Sequence, residues 1–193
     1  MHLNRETIID TALQLLDDYG LADMTMRRVA TTLGVAPGAL YWHIANKQAL
    51  IAAIAEAIVA PIDGDSPTAL ALDLRRCLLA HRDGAEVTSA GLSQPGNATW
   101  ERLVDRFVAA VRATSSAPEE ELLTGAHAII YLVLGSATME QARTQLAEAT
   151  GASEAADTEP VDGMTESQDA RVHEGADDLL RGVGIIISGL GAR

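Results

Sequence analysis

Between Met24 and Lys47 the chain reads MTMRRVATTLGVAPGALYWHIANK, two short helix-forming runs on either side of one glycine. Thr25 is an N-cap residue type, because its hydroxyl can accept a bond from an unpaired N–H of the first helical turn. Val29, Ala30 and Leu33 follow at helical spacing on one face. Gly34 ends the run, since glycine reaches the left-handed conformation that a helix terminus needs. Pro37 suits the first turn of the next helix, where its missing N–H costs nothing. The spacing predicts that second helix through Gly38, Ala39, Leu40, Tyr41, Trp42, His43 and Ile44, with Leu40 and Ile44 facing inward and Trp42 read as core. Helix, tight turn and helix is the helix-turn-helix pattern, and an ordinary αα-hairpin is the alternative.

Charge separates the two. The segment from Met24 to Lys47 has no Asp or Glu and carries Arg27, Arg28 and Lys47, in a chain of formal net charge −13. Asn46 reads as the N-cap of a further helix, so Lys47 would sit where free N–H groups already favour a phosphate. The Tyr41 hydroxyl can reach a phosphate too. Small residues at Gly38 and Ala39 would let the helix lie deep in a major groove and meet a thymine methyl. The bulk of the acidity lies elsewhere: residues 115–193 hold 14 acids against 4 Arg, a balance of −10. An acidic body repels non-specific DNA while a small basic face binds it.

RVATTLGVAPGALYWHIANKQAL resembles the DNA-binding domain of the TetR family of bacterial repressors, and the G-V-x-x-x-x-L-Y-W-H-x-x-N-K run is specific to that family. The resemblance implies DNA contacts at Thr25, Arg27, Pro37, Gly38, Ala39, Tyr41, His43 and Lys47. At the base-reading positions Pro37, Gly38 and Ala39 the chain lacks long polar side chains, which leaves the operator sequence open. HRDGAEV (81–87) and the C-terminal GIIISGL are similar to segments of the tetracycline-repressor subfamily. The latter implies a last helix that pairs with the long preceding one across a dimer interface.

The rest of the chain reads as helices. Its 193 residues are 48% hydrophobic and only 3% aromatic, a core of Ala, Leu, Ile and Val with little strand-like alternation. We therefore expect an all-α fold: a three-helix domain over 1–45 and a helical ligand-binding and dimerisation domain over 46–193. Asn4 to Tyr19 reads as the first helix, with Gly20 as its stop. The stretch after Asn46, ALIAAIAEAIVA, has Glu56 as its one charge and should be buried; Pro61 ends it. Further helices are expected to about Ala80, over Thr99–Ala113, over Leu122–Ala147 and over Arg171–Leu190. Residues 148–170 are polar and acidic with Gly and Pro, the composition of a mobile loop. The one cysteine, Cys77, reads as a small core residue in a reducing compartment. No signal peptide is evident before Arg5 and no apolar run reaches about eighteen residues, so a cytoplasmic protein away from membranes is expected.

Catalysis finds no support. The five histidines show no metal-ligand spacing, and no nucleophile elbow or phosphate loop is present, so neither an enzyme nor a cofactor is expected. His81 reads as an inward imidazole satisfied by a backbone group. Leu70 and Leu74, Trp100, Leu103, Arg106 and Phe107, and His127, Ile130 and Tyr131 can line one cavity with apolar walls and a few polar groups, as a small-molecule site needs. A filled core is the alternative. The resemblance implies a drug cavity at these positions, yet where the tetracycline-type site holds its metal chelate this chain has Asp63, Thr88 and Met139. No metal is therefore expected, and an apolar or aromatic inducer is. The leading expectation is a dimeric repressor that a ligand releases from a palindromic operator. The alternative is a helix-turn-helix regulator without an inducer, controlled by a protein partner or by dimerisation.

Overall fold

The computed structural model describes the backbone of residues 3–150 and 164–191, and the side chains of 3–150 and 175–191. Within these residues all regular structure is helical: α1 (Arg5–Asp23), α2 (Met26–Thr32), α3 (Pro37–Leu40), α4 (Lys47–Val59), α5 (Pro67–Leu79), α6 (Gly84–Leu92), α7 (Ala98–Arg112), α8 (Glu119–Ala149) and α9 (Met164–Gly189). The all-α expectation holds.

The helices form two compact units. The first comprises residues 1–63 and 76–103, the second residues 64–75 and 104–193. In the first, α1 packs on α2 and α2 on α3, and Ile8, Leu15, Leu16, Val29, Ala30, Leu40 and Ile44 are buried. Helix α4 buries Leu50, Ile54 and Ile58, as its lack of charge predicts, and packs along α6. That approach is close. A methyl on Gly91 would overlap Ala55 Cβ and lie 2.9 Å from the Ile51 carbonyl oxygen.

Local chemistry sets the ends. Asn4 Oδ1 accepts the Thr7 N–H at 2.8 Å, and Asn46 Oδ1 accepts the Ala49 N–H at 2.8 Å. Asn97 caps α7 through the N–H groups of Thr99 and Trp100 at 2.9 and 3.0 Å. Gly34 takes the left-handed conformation expected of a stop (φ 67). Gly20 leaves the helical path (φ 79, ψ 173), after which α1 resumes to Asp23.

The second unit is built from part of α5, most of α7, and α8 with α9. Leu70, Leu74, Phe107, Val111, Ile129, Ile130, Val133, Leu179 and Val183 are buried. Arg75 is buried as well, with its guanidinium 2.8 Å from both carboxylate oxygens of Glu140. Two expectations need correction here. The segment read as a mobile loop over 148–170 is helical at 148–149 and again at 164–170, while residues 151–163 lie outside the described residues. Helix α8 is also long and apolar enough to cross a membrane, with mean hydropathy 1.6 over an 18-residue window, whereas the sequence reading expects no such run. A buried core helix passes the same length test, and α8 buries Leu122, Ala126, Ile129, Ile130, Val133 and Ala137 in its unit.

Candidate nucleic-acid interface

The recognition segment is shorter than its sequence pattern predicts. Helix α3 covers only Pro37–Leu40, after which the chain turns with the His43 and Ile44 N–H groups both donating to the Leu40 carbonyl at 2.9 Å. Pro37 sits in the first turn, and Ala36 offers no side-chain cap. The residue that sequence reasoning placed worst is Trp42. Expected in the core, it is 90% exposed. Ending the helix at Leu40 turns Trp42 outward, because the interior is already filled by Leu40 and Ile44.

The eight candidate DNA residues all reach the surface. Thr25, Arg27, Pro37, Gly38, Tyr41, His43 and Lys47 are exposed and Ala39 is half-buried. They lie within 23 consecutive residues across α2, α3 and the start of α4. A Cβ at Gly38 would meet nothing within 4 Å, so the face is open there. Lys47 opens α4, which has no acidic residue in its first turn. An exposed helix N-terminus with a lysine on it presents N–H groups and charge together to an anion.

The cations of α2 divide. The Arg28 guanidinium lies 3.7 Å from the Tyr19 ring centroid and 3.2 Å from Asp23 Oδ1, and its backbone N–H donates to Thr25 Oγ1 at 3.2 Å. It therefore ties α2 to the end of α1, while neighbouring Arg27 points to solvent. Thr25 serves as cap as well as surface residue.

The candidate ligand residues are less uniform. Leu70, Leu74, Phe107 and Ile130 are at most 1% exposed, and Leu103 is buried. His127 is half-buried and stacks on Tyr131 with ring centroids 5.9 Å apart. Trp100 is half-buried. Arg106, expected as a buried polar contact, is exposed, and Tyr131 is 58% exposed. Helix α7 alternates faces tightly: Leu103, Val104, Phe107 and Val108 take its inner side, which leaves Arg106 outside. His81 also departs from expectation, since its Nδ1 bonds the Asp17 carboxylate. Sequence reasoning missed the Arg75–Glu140 pair; Thr88, one of the three positions matched to the chelate site, has a buried hydroxyl with no hydrogen-bond partner. Among the described residues no group of three His, Cys, Asp or Glu could hold a metal ion.

A three-helix head with an open, acid-free face of Arg, Tyr, His and Lys defines a DNA-binding protein of the helix-turn-helix class. Residues 8–54 match the family model described as bacterial regulatory proteins, tetR family. The chain is 35% identical to the class C tetracycline repressor protein of Escherichia coli, over 97% of this chain and 90% of that one. It is similar to the solved structure of Mycobacterium smegmatis BioQ (TM-score 0.80, 32% identity, 99% of each chain). BioQ with its natural double-stranded DNA operator matches with TM-score 0.68 and 36% identity, over 77% of this chain and 93% of that one. The chain belongs to the TetR family: it is a DNA-binding transcriptional regulator and not an enzyme.

Proposed function

We propose that this regulator is a cytoplasmic homodimeric repressor that occupies a palindromic operator and leaves it when a small apolar or aromatic molecule binds its helical body. The observation that carries the DNA half is the exposed, acid-free surface from Thr25 to Lys47 in a chain of net charge −13. In this reading residues 1–45 are the DNA-binding domain and the remainder binds ligand and partner. Arg27, Tyr41 and Lys47 position phosphates, while Pro37, Gly38, Ala39 and His43 approach base edges and Thr25 holds the first turn.

Support for an inducer comes from the 35% identity to a tetracycline repressor protein. Apolar side chains of the Leu70, Leu74, Leu103, Phe107 and Ile130 type select an apolar molecule, with Trp100, His127 and Tyr131 for ring contacts. With Arg106 on the surface, His127 becomes the polar handle among them. The chelate positions hold Asp63, Thr88 and Met139 in place of two imidazoles and a carboxylate, which favours a metal-free ligand.

Support for a dimer comes from the exposed apolar face of the last two helices. Tyr131, Gly135 and Met139 recur every fourth residue on α8, and Ile185 on α9 is 74% exposed beside Gly184 and Ser188. A Cβ added at Gly135 or at Gly184 would meet nothing within 4 Å, so a second copy can approach closely there.

Two measurements test the proposal. Lys47→Ala should weaken binding to every duplex and flatten the salt slope by about one unit. A changed sequence preference with the slope intact would remove Lys47 from the phosphate set. A thermal-shift screen of apolar and aromatic compounds should find a stabiliser that also releases operator DNA, and a ligand at 100 times its Kd adds about 2.7 kcal/mol. Stabilisers that leave operator affinity untouched would favour the regulator without an inducer.

A further inference from the structure

Helix α6 is fastened at one end to α1 of the DNA-binding head and at the other to α4, which follows the head in the chain, and the two fastenings differ in kind. At its C-terminal end it presses on α4 through Gly91, where no side chain fits between them. At its N-terminal end the corner formed by His81, Arg82 and Asp83 grips the end of α1. The His81 Nδ1–H donates to the Asp17 carboxylate, 3.1 and 3.0 Å from its two oxygens. The Arg82 N–H donates to the same Oδ1 at 3.1 Å. The Leu21 N–H donates to Asp83 Oδ2 at 2.7 Å.

The last of these is built around two unusual backbone positions. Gly20 leaves the helical path, so the Leu21 N–H loses its place in the helix ladder and needs another acceptor. Asp83 supplies it from a left-handed conformation (φ 53), the one such non-glycine residue among those described. A Cβ on Gly20 would lie 2.8 Å from that carboxylate oxygen. Both segments thus adopt conformations that ordinary residues avoid, and the carboxylate fits between them.

We propose that Asp17, His81 and Asp83 are positioning residues for operator binding, which fix the angle at which the helix-turn-helix is presented. The α1 contact alone would be a pivot, and the contact with α4 is the second point. Two contacts, eight residues apart along α6 and so about 12 Å, define an angle. The angle set at Asp17 and Leu21 reaches the recognition segment because Arg28 holds α2 to Tyr19 and Asp23. None of the three residues belongs to the DNA-facing set. They act through the direction of α1.

The inference rests on the dimeric reading, because an angle matters most when two heads must meet two half-sites at set spacing. The test uses the full chain. Asp83→Gly keeps the left-handed conformation and removes the carboxylate; Asp17→Asn removes the charge at a position whose side chain is 42% exposed. The probe is a palindromic duplex selected against the wild-type protein from a randomised library, with two versions one base pair longer or shorter at the centre. The wild type should lose about tenfold or more on either altered duplex, and the double variant about threefold or less, with half-site preference kept. A double variant that discriminates spacing as steeply as the wild type overturns the proposal, whatever its overall affinity. Should the double variant fail to fold, Asp17→Asn alone must show a shallower spacing dependence, and an unchanged one overturns it equally. Sedimentation of each protein separates this failure from loss of the dimer: monomeric wild type sinks the dimeric reading, and with it the spacing argument.

Discussion

Trp42 shows how much one side chain can report. A large aromatic that is 90% exposed beside Tyr41, itself 52% exposed, is out of place on a surface that faces only water. On the segment proposed to face DNA it becomes a probe. Iodide should quench Trp42 freely in the unbound protein and lose access when a selected operator duplex is added, and Trp42→Phe should abolish that protection. Quenching that stays constant at saturating duplex would place Trp42 away from the DNA. Elsewhere, Arg75 is 7% exposed and held at 2.8 Å by Glu140. Glu140→Ala should destabilise the protein by about 1–3 kcal/mol in urea, because a charged hydrogen bond to a buried group is removed. A change within error would show that the other contacts of Arg75 suffice.

Several elements in this chain begin at the caps that residue chemistry predicts, and the α4–α6 approach is set by a small residue. The Thr25 cap, with its bond to the Arg28 N–H at 3.2 Å, begins a helix of only seven residues. So short a helix depends on its cap, and Thr25→Ala should cost about 1 kcal/mol while also lowering operator affinity. An unaltered thermal midpoint would mean that α1 and α3 hold α2 without help. Gly91→Ala tests the α4–α6 contact. The added methyl meets Ala55 and the Ile51 carbonyl, so over-packing should destabilise by about 1–3 kcal/mol. If the variant is instead as stable as the wild type but binds operator poorly, α4 has shifted to relieve the clash, which would show its position to be what the DNA reads.

At the scale of the whole molecule, the exposed row of Tyr131, Gly135 and Met139 with Ile185 should be covered in solution. Sedimentation at micromolar concentration should give a dimer, and Ile185→Asp with Met139→Lys should give monomers that bind a half-site alone and lose the full operator's affinity. A wild-type monomer would remove the basis for palindromic recognition. Binding and stability are then linked, because a partner that binds only the folded chain stabilises it with rising concentration. The thermal midpoint should therefore climb with protein concentration in the wild type and stay level in the variant.

What is local in this fold can be read from the residues alone. Caps at Asn4, Thr25 and Asn46, the break at Gly20, the stop at Gly34, and the buried faces of α1 and α4 are all legible, because each rests on bonds or periodicities spanning a few residues. The acid-free segment from Met24 to Lys47 is legible for the same reason, and its resemblance to the family supplies the set of residues proposed to face DNA. The remainder waits for the folded chain. Asp17 meets His81 across 64 positions and Arg75 meets Glu140 across 65, contacts that no spacing rule reaches. Sequence reasoning misplaces Trp42 and Arg106 because which side of a helix faces inward depends on how the neighbouring helices lie, and on whether α3 runs one turn or two. An isolated helix leaves that choice open; the packing of its neighbours closes it.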